Sequence, residues 1–212
     1  QLAGGGTGSN PPRDRQGTML IFGATPCRHQ ALAGLYPQAR RVDGCPVNYD
    51  AQLQAGPELA DVMWLAPPVD GSEDLIAAQD LGVLALFRLI KALLRQGYGR
   101  RPLRLTLVTA QAISLRPGEP SHVAHAAVHG LAGSLAKEYP HWQVHLADLE
   151  DGQLPRLASA PFAAVRCGEV LALRQGQWWF RQLARVQAEA APPRLPVYRD
   201  GGVYLVIGGA GG

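Results

Sequence analysis

Short apolar runs alternate along this chain with longer stretches whose apolar residues recur at helical spacing. Met19-Leu20-Ile21-Phe22-Gly23 is a continuous apolar run of strand length, and Asp61-Val62-Met63-Trp64-Leu65-Ala66 repeats the pattern. That is the pattern of strands covered on both faces in a parallel sheet. Pro67-Pro68 closes the second run. Between them the sequence predicts a helix over Arg28 to Leu35 that stops before Pro37, a short strand at Arg41-Val42-Asp43, and a short helix over Tyr49 to Ala55.

The longest predicted helix runs from Ser72 to Gln96. Ser72 is its expected cap, Glu73 and Asp74 lie near the positive end of its dipole, and Gly97 stops it. Its apolar positions Leu75, Leu81, Leu84, Phe87, Ile90, Leu93 and Leu94 form a broad face suited to packing on a sheet. The alternation continues with a strand over Leu103 to Thr109, a helix over Ser121 to Glu138 and a strand over Trp142 to Leu149. After a short helix near Leu154 to Leu157, the segments Glu169 to Leu173 and Trp178 to Leu183 flank the turn Arg174-Gln175-Gly176-Gln177, which suggests a hairpin or two final strands. The expected fold is α/β: a truncated Rossmann-like, mainly parallel sheet with helices on both faces.

Residues 1–17 are rich in Gly, Pro and polar groups without an apolar period, and read as a linker. Residues 18–186 form the predicted domain, and 187–202, with its Ala-Pro-Pro joint, a second linker. Val203-Tyr204-Leu205-Val206-Ile207 then starts a new apolar strand that runs into Gly208-Gly209-Ala210-Gly211-Gly212. The strand neighbours that 203–212 needs are expected from elsewhere.

Composition narrows the classes. Of 212 residues, 47% are hydrophobic and 17% charged, enough apolar material for a packed core. The net charge of +3 is spread along the chain, which argues against a nucleic-acid surface. Cys27, Cys45 and Cys167 are widely spaced, with no C-x-x-C pair, so neither a disulfide framework nor a zinc site is expected. A reducing, cytoplasmic setting fits them. Leu81 to Leu94 is interrupted by Arg88 and Lys91 and is too short to cross a bilayer, and the first residues lack a secretory pattern. A soluble protein is expected.

The chemistry-bearing motifs are mostly incomplete. A dinucleotide turn needs glycines directly after the first strand, so that backbone N–H groups reach the pyrophosphate. Here Gly23-Ala24-Thr25-Pro26-Cys27-Arg28-His29 keeps one glycine, and Pro26 removes a donor. Gly208 to Gly212, by contrast, follows an apolar strand as a cofactor turn should and matches the opening of T-G-x-x-x-G-x-G, with Ile207 at the Thr position. Carbonyl reduction in this type of fold needs a Tyr with a Lys four residues on. Tyr36, Tyr49, Tyr98, Tyr139, Tyr198 and Tyr204 are followed at that spacing by Arg40, Leu53, Pro102, Gln143, Gly202 and Gly208, so no catalytic residue is assigned. His122, His125 and His129 share a helical face but lack evident partners, and a histidine-bearing helix surface is preferred to a metal site. Ser114, Ser121 and Ser134 lie in no G-x-S-x-G elbow. Adjacent Trp178 and Trp179 should point to opposite faces, one inward and one capping an interface.

Several segments together resemble the N-terminal structural subdomain of the ketoreductase of modular polyketide synthases. They are Leu105 to Thr109, Ala124 to Pro140, the strand HLADLE, Glu169 to Arg174, Arg181 to Arg185, and Asp200 to Gly212, the last resembling the start of that family's catalytic subdomain. The resemblance implies a shortened Rossmann-like fold packed against a catalytic half, which binds NADPH and reduces the β-keto group of an acyl chain on a phosphopantetheine arm of an acyl carrier protein. Of the cofactor-contacting positions only Gly208 and Gly212 match. It implies a structural subdomain that binds no cofactor alone, with the catalytic subdomain, neighbouring synthase domains and the carrier protein as partners, and no nucleic acid or membrane. Two alternatives stay open: an inactive ketoreductase scaffold that positions neighbouring processing domains, one of them inserted near Ala191 to Pro196, or a small independent divergent reductase.

Overall fold

The computed structural model describes residues 18–43, 48–54, 58–68, 74–150, 152–183, 185 and 198–205. Seven strands make one sheet: β1 (Thr18–Ala24), β2 (Arg40–Asp43), β3 (Leu59–Leu65), β4 (Leu103–Ala110), β5 (Trp142–Leu149), β6 (Val170–Arg174) and β7 (Gln177–Phe180). Their order is β2-β1-β3-β4-β5-β6-β7; every neighbouring pair is parallel except the β6–β7 hairpin. The apolar runs read from the sequence are the sheet's centre, and Leu20, Phe22, Trp64, Leu105 and Leu107 are fully buried.

Strand alternation sends these side chains to two unequally covered faces. On the first, Phe22, Trp64, Leu107 and Leu146 meet α2 (Tyr49–Gln54), α4 (Val83–Arg95) and α5 (Val123–Glu138) through Leu53, Leu86, Leu89, Leu93, Val128 and Ala132. On the second, Ile21, Met63, Val108 and Ala147 meet α1 (Pro26–Ala33) through Leu32. The short 3-10 helices Leu154–Ser159 and Phe162–Ala164 and the partly buried Trp178 complete that cover. Among the described residues, one side of the sheet has three helices, the other a single two-turn helix and short coils.

Two features differ from the sequence reading. The long helix expected over Ser72 to Gln96 is two helices, α3 (Leu75–Leu81) and α4, joined at Gly82, whose φ −88° and ψ −111° break the helical backbone. Asp74 caps α3 by accepting the Ile76 N–H at 2.9 Å; Ser72 and Glu73 lie outside the described residues. The bend redirects the apolar face. Leu86, Leu89, Ile90 and Leu93 pack on the sheet, whereas Leu75, Leu81, Leu84 and Phe87, expected to do so, are exposed.

The chain divides into two units, residues 1–181 and 182–212. In the second, the Arg199 N–H donates to the Tyr204 hydroxyl at 2.7 Å, and the Tyr198 and Tyr204 rings meet edge to face at 5.1 Å. Val203 to Leu205, expected to open a buried strand, form no strand and leave Val203 100% and Leu205 87% exposed.

Candidate functional site

In an open α/β sheet, ligands bind beyond the carboxyl ends of the strands. Here that end is built by the β1–α1 turn, the loop after β4 and the loop after β5. Gly23 has φ +80°, and a Cβ on it would lie 2.2 Å from the Leu65 carbonyl oxygen, so the ends of β1 and β3 are in direct backbone contact. Thr25 caps α1 and Pro26 occupies its first turn, where its ring fits the helix but offers no N–H. The Arg28 guanidinium donates to the Ala66 carbonyl at 2.5 Å, spanning from α1 to the end of β3.

A cavity of about 250 Å³ remains between α1 and the segment after β5. Its walls are Cys27, Arg28 and Ala31 on one side and Gly152, Leu154 and Pro155 on the other, over Leu65, Val108 and Leu149. That is below the roughly 300–1,000 Å³ of drug-sized ligand pockets. The residues present do not fit a dinucleotide: one glycine, a proline and an arginine stand where several N–H groups must meet a pyrophosphate. Gly208 and Gly212, the positions read as cofactor-contacting, lie outside the described residues.

The loop after β4 is fixed by buried charges. Asp148, fully buried near the end of β5, accepts from the Thr109 hydroxyl at 2.6 Å, the Ala112 N–H at 2.8 Å and Arg174 at 2.6 Å. Arg174 also donates to Glu119 at 2.5 Å and to the carbonyls of Ile113, Leu173 and Asp148. Burial pushes the Glu119 carboxyl up, but the Leu115 and Arg116 N–H groups and Arg174 outweigh it and hold it below the usual carboxylate range. These residues were not singled out from the sequence. The available signals were an aspartate near the end of an apolar strand and an arginine closing another.

The histidines of α5 are not the surface feature expected. His125 is 1% exposed and its Nδ1 lies against the Ala110 backbone; His129 sits 3.0 Å from the Thr109 hydroxyl. His125 and His129 share a helical face as expected, but that face is turned toward the sheet, and His122 lies at the helix cap. Burial holds both rings below the usual histidine range, with Asp148 acting against it at His129. Thr109, His129 and Asp148 look at first like a nucleophile, base and carboxylate. Their wiring runs the other way. Thr109 is 2% exposed and gives its proton to Asp148, so His129 donates to the hydroxyl instead of activating it. Trp178 packs into the second face and Trp179 lies under the Arg116 guanidinium at 5.9 Å, the two-sided arrangement expected for the pair.

The sequence profile described as "Polyketide synthase extender module SpnB, Rossmann fold domain" matches residues 22–183. The chain belongs to this family. The polyketide synthase ThaG of Burkholderia thailandensis is 40% identical over 92% of this chain, and PksM of Bacillus subtilis 40% identical over 91%. This domain spans only 4% and 5% of those two proteins. Among solved structures, the first ketoreductase of the tylosin synthase superposes with a TM-score of 0.58 at 22% identity, over 82% of this chain and 40% of that one. An N-terminal ketoreductase from the macrolactin assembly line superposes at 0.54 and 12%, over 78% and 39%. The domain is thus a Rossmann fold domain of the polyketide synthase extender-module family, with the Rossmann-like α/β fold expected.

Proposed function

We propose that this domain is the non-catalytic half of a polyketide synthase ketoreductase. It binds no dinucleotide itself and stabilises an NADPH-dependent half that reduces a β-keto acyl thioester held on an acyl carrier protein. The observation that carries this reading is the closed β1–α1 turn, with Gly23 against Leu65 and Arg28 bonded across to Ala66.

The surface supports it. Ile76, Leu81, Leu84 and Phe87 on α3 and α4, with Val123 on α5, are between 44% and 83% exposed. The outer positions of α5 beside them are small: Ala126, Ala127, Gly130 and Ser134. Large apolar side chains next to a small-residue surface suit a close-packed helical partner, which we assign to the catalytic half. Gly208 and Gly212 then belong to the pyrophosphate turn of that half, and the apolar Val203 and Leu205 to its first strand.

The test is to express the catalytic half with and without this domain supplied as a separate polypeptide. The expected result is a rise in its melting temperature and in reduction of a model β-keto thioester when the domain is present, both lost with Phe87→Glu. Equal stability and turnover without the domain would overturn the reading, as would reduction of the thioester by the domain alone.

A further inference from the structure

The cavity beside α1 has an identifiable structural cause. On the second sheet face, β5 leads into the short 3-10 helix Leu154–Ser159, so α1 has only a low turn as its neighbour there. The facing walls are small. Ala31 lines one side and Gly152 the other, where an added Cβ would meet nothing within 4 Å. The floor is apolar, since Leu65, Val108 and Leu149 belong to the core beneath α1 and Leu154 packs against it.

The polar groups around this space are already engaged. The Val108 carbonyl accepts the Ala66 N–H at 2.8 Å, and the Leu149 carbonyl accepts the Gln111 N–H at 3.0 Å. The Thr109 hydroxyl donates to Asp148, on the other face of the sheet. Both charged side chains of the lining are likewise held by backbone groups: Arg28 donates to the Ala66 carbonyl, and the Glu150 carboxylate accepts the Gln175 N–H at 2.8 Å. A ligand rich in hydrogen-bonding groups has to break one of these bonds or leave its own groups unpaired, and either is costly. A neutral apolar ligand has only to displace water from apolar walls, which is favourable.

From this lining we propose that the cavity is a binding site for a small, neutral, apolar ring compound. An apolar cavity of about 150 Å³ is enough for benzene. The volume here is about 250 Å³, which has room for two fused rings. Ligands of that size reach dissociation constants of roughly 0.1–1 mM in a well-matched apolar site. The site lies on the opposite sheet face from α4 and α5, so it neither needs nor opposes a docked catalytic half.

A methyl-resolved NMR titration of the 212-residue chain with indole tests this. The expected result is saturable shifts at the methyl groups of Leu65, Val108, Leu149 and Leu154, with those of Leu86, Leu89 and Val128 on the first face unmoved. Indole-3-carboxylate, which carries the same rings and a charge, is expected to give no saturable shift over the same concentrations. Ala31→Leu puts a larger side chain into the cavity. It is expected to abolish the indole shifts and to raise the urea midpoint, as filling a void does. Ala33→Leu, at an exposed position of the same helix, is expected to leave indole binding unchanged.

An unaltered chain that shows no saturable shift with indole overturns the inference. So do shifts of equal size on both faces of the sheet, carboxylate binding as tight as that of indole, and an Ala31→Leu variant that binds indole as before. The comparison of indole with its carboxylate uses the unaltered chain, so it decides the matter even where Ala31→Leu fails to fold.

Discussion

At the scale of single residues, the proposed role rests on the residues that pack the turn after the first strand. Gly23 is the clearest case. Its φ of +80° and the Leu65 carbonyl 2.2 Å from any added Cβ leave room for no other residue. Gly23→Ala is expected to lower unfolding free energy by about 2 kcal/mol or more, read as a shift in the urea midpoint. Asp148 holds the loop after β4 instead. Removing its carboxylate leaves the buried Arg174 with Glu119 as its one remaining acidic partner among the described residues, so Asp148→Ala is expected to cost about 3–5 kcal/mol in the same assay.

His145 sets the pH response. Burial first, then the nearby Arg104 charge, push its ring down to about 4 from 6.5, with Asp61 acting weakly against them. Between those values the unfolded chain binds more protons than the folded one. Stability is therefore full above pH 6.5 and falls as the pH drops through that window, by up to about 1.4 kcal/mol per pH unit for this group. His125 and His129 shift in the same direction. His145→Gln is expected to flatten the slope, which urea unfolding at a series of pH values measures. The single glycine of the first turn was legible in the sequence because its neighbours are local. Asp148, Arg174 and Glu119 were not, because they meet only after β5, β6 and the β4–α5 loop are assembled.

At the scale of elements, the strands were the most legible part. Their apolar runs are continuous, and a strand buried on both faces has no other way to be written. Trp142 to Leu149 is a strand over the whole predicted span. Helix α4 was harder, because it is apolar on two sides. Periodicity locates the apolar residues but does not say which side meets the sheet and which meets a partner. The α5 histidines posed the same problem in reverse, as polar residues turned toward the sheet. The two sides of α4 are separable by experiment. Leu89→Ala, on the fully buried side, is expected to cost about 2–5 kcal/mol. Phe87→Ser, on the exposed side, is expected to change folding stability by no more than about 0.5 kcal/mol while weakening the proposed docking of the catalytic half.

At the scale of the whole molecule, the seven-stranded order and the unequal cover of the two sheet faces follow from the chain's alternation of elements. The α/β class and the family were both readable from the sequence, because element order and several local segments carry them. The missing glycines pointed to a closed turn, and the geometry adds the mechanism of closure, through Pro26 and the Arg28–Ala66 bond. The exposed apolar side of α3 and α4 became visible only once the break at Gly82 had separated exposed residues from buried ones.

The central claim, proposed above, is that this domain binds no dinucleotide of its own. The direct measurement is a titration of the chain with NADPH, followed by the fluorescence of its four tryptophans. The account predicts no saturable change up to about 1 mM, the limit of weak binding. Saturation at micromolar concentration would contradict it.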